Sequence, residues 1–189
     1  MAGYEFNTAD NQTIARELLI LYLNTGTKDA PVWSPIGKRV EESSMELDWQ
    51  RESKKDIMGN TFNTMKKPII TQAFEPWELA KGDAAQADIW KKAFVEQDAQ
   101  ALCNMDLLLV HAYAGTRNTA EFAERNDASS VEVTGLGGEG GGNMGMPITV
   151  TFGGTRTVGT AAVAKGAVTF TPATEAAAAA ESGEEAQAQ

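Results

Sequence analysis

Residues 135–152, GLGGEGGGNMGMPITVTF, decide between two architectures. Gly135, Gly137 and Gly140 satisfy G-x-G-x-x-G, the fingerprint of a loop that cradles a dinucleotide pyrophosphate. That role requires the loop to open a helix, because the phosphates rest on free N–H groups at the helix N-terminus. Here the glycines run through Pro147 into Ile148-Thr149-Val150-Thr151-Phe152, whose apolar and hydroxyl side chains alternate with the period of a strand. The acidic residue expected about twenty positions on is also missing, since 151–174 holds no Asp or Glu. The glycines therefore read as a connection between antiparallel strands, and no nucleotide cofactor is expected. No Walker-type glycine loop occurs either.

Working outward, Gly153-Gly154 reads as a hairpin turn between strands at 148–152 and 155–160, and Lys165-Gly166 as the turn before a strand at 167–171. Upstream, 130–134 reads as strand, 102–112 as a buried strand, and the polar residues between them as a connection. Asp83 caps the one convincing helix, with Gln86 at the capping-box position and Ile89, Trp90, Ala93, Phe94 and Gln97 along one face. Residues 68–79 and 17–24 (ELLILYLN) read as strands, and 33–37 as a punctuated stretch. Residues 44–50 alternate, with Met45, Leu47 and Trp49 on one side and Glu46 and Asp48 on the other, which predicts a half-buried strand with an acidic outer face. The next segment, 51–67, is charged but carries Ile57, Met58, Phe62 and Met65 without a consistent period. A long loop or extended hairpin of this kind inside a domain is usually functional.

The chain is 189 residues long with a net charge of −10, enough for one well-cored domain and the wrong sign for gripping nucleic acid. Its longest apolar run, 107–110, is far too short to span a bilayer, and its first residues do not read as a secretory signal, so the expected compartment is the cytosol. Cys103 reads as a small buried hydrophobe and His111, the lone histidine, as a structural residue; neither a metal site nor a catalytic triad has the residues it needs. Trp33, Trp49, Trp77 and Trp90 are scattered, which favours core packing over a base-stacking platform. No enzymatic activity is expected. The divisions expected are an N-terminal arm (1–13), a β domain (14–172) and an acidic, alanine-rich tail (173–189) too poor in large apolar residues to fold.

Taken in order, ELLILYLN, the turn into Trp33-Ser34-Pro35-Ile36-Gly37-Lys38, the alternating SMELDWQ strand, the RESKKDIMG loop, the helix DAAQADIWKKAFVEQ and the closing strands ITVTFGGTRTVGTAAVAKGAVTFTP resemble the major tail (tail tube) proteins of long-tailed bacteriophages. The resemblance covers residues 14–172. It implies a mainly β fold, a two-sheet sandwich or barrel with one flanking helix and a long inter-strand loop. It also implies hexameric rings of the chain itself, stacked into a tube through which the genome is ejected. The implied partners are further copies, the tape measure, tail terminator and tail tip proteins, and DNA in non-specific transit, with no membrane; the location is the virion tail, after assembly in the host cytoplasm. On this reading Glu46 and Asp48 are lumen-facing candidates, since like charge keeps a passing polyanion from adhering. Lys54, Lys55, Ile57, Met58, Phe62 and Met65 are candidates for inter-subunit contact. The competing expectations are a virion decoration or binding module and the tube protein of a contractile injection system.

Overall fold

The computed structural model describes residues 5–173, so the disorder expected of the acidic tail lies outside the described residues. After a short 3-10 turn (Arg16–Leu18) come strands β1 (Leu19–Asn24), β2 (Trp33–Ile36), β3 (Val40–Glu42), β4 (Met45–Asp48), β5 (Glu52–Lys55), β6 (Thr61–Thr64) and β7 (Ile69–Trp77). A helical stretch follows, made of α1 (Ala84–Trp90), a π-helical segment (Lys91–Glu96) and α2 (Ala99–Leu102). The remaining described elements are β8 (Met105–Thr116), β9 (Ala120–Val133), β10 (Ile148–Thr151), β11 (Arg156–Ala164) and β12 (Ala167–Pro172). The mainly β class expected from the sequence is what forms: a curled, half-barrel sheet, a small second sheet and one helical region.

The large sheet runs β2-β1-β8-β9-β10-β7-β3, with β4 also on β7 and β12 joined through β11. Its axis is β8, which from Leu107 to Val110 is apolar on both faces because both faces are covered. Leu107 and Leu109 join Leu21, Leu23, Trp77, Ile89 and Ile148 on one side; Leu108 and Val110 join Tyr22, Trp33, Ala123 and Ala161 on the other. A one-residue slip would exchange these sets, so the two cores together fix the register of β1 on β8.

Several strand assignments change, and Trp33–Ile36, expected only as a punctuated stretch, is strand β2. The stretch expected to be a polar connection is strand: β8 continues to Thr116 and β9 begins at Ala120, paired with each other antiparallel. Gly153-Gly154 is not a hairpin turn, because β10 and β11 do not pair together; both lie along β9, with Thr151 opposite Ser130 and Arg156 opposite Asn126. The glycines carry the chain tightly past β9 between these two stretches. A Cβ at Gly153 would stand 2.8 Å from the Ala128 carbonyl oxygen, and Gly154 has φ +73°. Beyond this corner β10 leads to β7 and β11 leads to β12, so the sheet divides and curls. The glycine-rich loop does connect antiparallel strands, β9 and β10, and opens a strand rather than a helix. Within it Gly137 and Gly145 bond to each other's backbone, and Met146 is wholly buried.

The helix departs from expectation in detail. Asp83 caps it by accepting from the Ala85 and Gln86 N–H groups. Gln86 does not close a capping box; its side chain accepts from the Ala80 N–H and donates to the Glu78 carbonyl, tying the helix start to the end of β7. Ala85, Gln86 and Ile89 are buried, whereas the wider π turn and a left-handed cap at Gln97 leave Trp90, Phe94 and Val95 exposed. Residue 102, expected in a strand, ends α2, and the strand starts at Met105. Cys103, expected to be buried, is exposed just after α2. Trp33 and Trp77 are core residues as expected, while Trp49 and Trp90 are not.

Candidate assembly surface

The branch of the sheet formed by β9, β10, β7 and β4 has one face on the core and one face open. Val131, Ile148, Val150, Gln72 and Phe74 are buried on the core side. The residues between them point away, in registered rows: Ser130, Thr151, Thr71 and Glu46 in one row, then Glu132, Thr149 and Ala73 in the next, with Asp48 opposite Ile69. Hydroxyls and carboxylates predominate on this open face, beside Ala73 and the half-exposed Ile69, and none of these strand positions carries a cation. Glu46 and Asp48 are both exposed there, on one face as the alternation requires. On the opposite side of β4, Met45 packs against the core but Leu47 is exposed, as is Trp49 just beyond the strand, so the expected half-buried strand is buried only at its start.

β5 and β6 form an isolated antiparallel hairpin that carries all six candidate contact residues. Every residue of both strands is exposed. Lys54 lies opposite Phe62 and Lys55 opposite Thr61; Ile57 and Met58 are at the tip, 106% and 83% exposed, and Met65 follows β6 toward the root. The tip is built rather than loose: Asp56 Oδ1 accepts from the Met58 and Asn60 N–H groups at 2.9 and 2.8 Å, and Asn60 Nδ2 donates to Asp56 Oδ2 at 3.0 Å. These bonds, that from the Asn60 side chain foremost, hold the Asp56 carboxyl below its ordinary range. Residues 51–67 contain five cations and two carboxylates, so a net-positive hairpin stands on a strongly acidic chain. Lys54 pairs with Glu52 of the same strand at 3.1 Å; Lys55 makes no ion pair among the described residues. With no core of its own, an exposed two-stranded hairpin is marginal in water, and packing against another surface is what stabilises such an element.

Two features were missed in the sequence. The first is the exposed patch of Trp90, Phe94 and Val95, hidden because an ideal helix of this pattern would bury part of it. The second is a polar network on β8, β9 and β11, where His111 Nδ1 meets the Tyr113 hydroxyl at 2.7 Å, His111 Nε2 lies 3.3 Å from Glu124, and Arg156 donates to Glu124 at 2.5 Å. His111, expected to be a structural residue, lies within this network. Burial pushes the Glu124 carboxyl up, but His111 and Arg156 outweigh it and bring it down to about 2, from an ordinary 4.5. A carboxyl lowered by folding stabilises the fold above its unfolded value and stops doing so as pH falls through the folded one. Glu124 is therefore expected to contribute about 3 kcal/mol above pH 4.5, lost on acidification toward pH 2. Urea unfolding of wild type and Glu124→Gln between pH 7 and pH 2 should show curves that converge at the acid end; a constant gap would refute the assignment.

No family model matches the chain, and no curated protein matches it. Solved structures do. The sheath/tube terminator of an extracellular contractile injection system, in its extended state, superposes with a TM-score of 0.50 at 11% identity, over 79% of this chain and 99% of that one. The chain shares its fold with that terminator. The tube-terminating cap of the anti-feeding prophage is similar at a TM-score of 0.46 and 14% identity, over 88% of this chain and 96% of that one.

Proposed function

We propose that this chain is a ring-building structural subunit of a phage-tail-like tube, with the β9-β10-β7-β4 face lining the channel and the β5–β6 hairpin reaching a neighbouring copy. The observation that carries the reading is the open face itself: four strands wide, rich in Ser and Thr, bearing Glu46, Asp48 and Glu132 and lacking strand cations. Such a surface repels and wets a passing polyanion instead of binding it. Joined side by side in a ring, copies of the curled sheet would cover the free edges of one another, which otherwise invite uncontrolled pairing. The fold shared with a sheath/tube terminator supports the same role, and because nearly the whole of that terminator is matched, a second reading follows: a single ring that ends a tube.

Negative-stain electron microscopy over a concentration series, beside light scattering, tests both. Six-fold rings with an open channel are expected. Stacks of rings identify a tube-wall subunit such as the major tail protein, and rings that stop at one layer identify a terminator. A particle that stays monomeric at the highest soluble concentration overturns the ring-building reading and favours a decoration or binding module.

A further inference from the structure

Glu121 is only 2% exposed, at the start of β9. Its Oε1 accepts from the Asn118 N–H at 2.9 Å, while its Oε2 is buried with no hydrogen-bond partner among the described residues. Beside it, burial and then the charge of Glu121 push the Tyr22 hydroxyl up. Glu121 lines a cavity of about 280 Å³ together with Glu17, Tyr22, Ile20 and Val163, with the exposed Arg117 on its wall. Arg117 makes no ion pair with either carboxylate. A buried carboxylate oxygen without a donor works against the fold, so an arriving cation would relieve it.

The walls select the cation. Among the described residues no three His, Cys, Asp or Glu side chains stand close enough to hold a metal ion. Two carboxylates and a phenol beside Leu18, Ile20, Ala112 and Val163 suit a single ammonium on an aliphatic stem, which is a lysine. On this chain, Lys55 is exposed, lacks an ion pair and sits beside the apolar hairpin tip.

We infer that this cavity is the seat of the hairpin: Lys55 of a second copy places its ammonium against Glu121 and Glu17, and the second copy's Ile57 and Met58 cover Ile20 and Val163. The inference rests on the ring-building reading above and names the surface that receives the hairpin.

The test mixes unlabelled and ¹⁵N-labelled protein, joins contacting amines and carboxylates with a zero-length carbodiimide, and maps the products by mass spectrometry. A mixed-isotope link from Lys55 to Glu121 or Glu17 is expected. Glu121→Gln should raise or leave unchanged the thermal midpoint while weakening association at least tenfold by sedimentation, and Lys55→Met should weaken association to a similar degree. Links from Lys55 that map only elsewhere, or two variants that associate like wild type, overturn the seat and leave ring building standing. Wild-type protein that never associates overturns both.

Discussion

Arg125→Met is expected to cost about 3–5 kcal/mol of folding stability, a large part of what a single domain possesses. Asp106 is 6% exposed, and Arg125 meets it with two parallel bonds at 2.9 and 2.7 Å while its guanidinium carbon lies 5.6 Å from the centre of the Trp33 ring. Removing the guanidinium leaves the carboxylate with the Asn24 amide as its remaining side-chain donor, at 2.8 Å. The loss comes from the stranded charge more than from the missing bond, so a companion change decides the cause. Asp106→Leu added to Arg125→Met should recover most of the stability in urea unfolding, because an apolar pair of similar volume replaces a buried ion pair at little cost. A single variant within about 1 kcal/mol of wild type would mean that solvent reaches Asp106 freely.

Met58→Asp with Phe62→Asp should do the opposite: leave the monomer intact and abolish association. Both side chains are exposed and neither contributes to a core cluster, so the effect on folding should stay within about 0.5 kcal/mol. At an interface the same carboxylates would be buried without partners, which is enough to shift half-association by more than a hundredfold. Circular dichroism melts and sedimentation velocity separate the two effects. Normal association by the double variant would remove the hairpin from the interface.

The strands that were legible in the sequence are those with one wet face or none. β10 shows its alternation openly, β1 and the middle of β8 show unbroken apolar runs, and β4 shows Glu46 and Asp48 against Met45 and Leu47. Most of β9 was illegible for a physical reason: its Glu124 and Arg125 are paired with polar residues on neighbouring strands. Arg125 meets Asp106, and Glu124 meets His111 and Arg156, so a strand that crosses both cores reads locally as a polar connection. A pattern of single residues cannot disclose pairs made across strands. The hairpin was legible as an unusual segment through its exposed Ile57, Met58, Phe62 and Met65; the cavity at Glu121 was not, because Glu17 and Glu121 are brought together by topology alone.

The division of the sheet at Gly153-Gly154 also determines how load would travel. The hairpin is rooted between β4 and β7, and among the described strands β3, β4 and β7 reach the remainder of the sheet through β10. A pull along the hairpin therefore loads the four registered residue pairs from Ile148–Phe74 to Thr151–Thr71 together with the bonds that flank them, with the strands sliding lengthwise past each other. Bonds loaded in that direction share the force at once rather than opening one by one like a zip. The arm that reaches outward is thereby anchored through strands loaded in shear, while β11 and β12 lie outside the line of force.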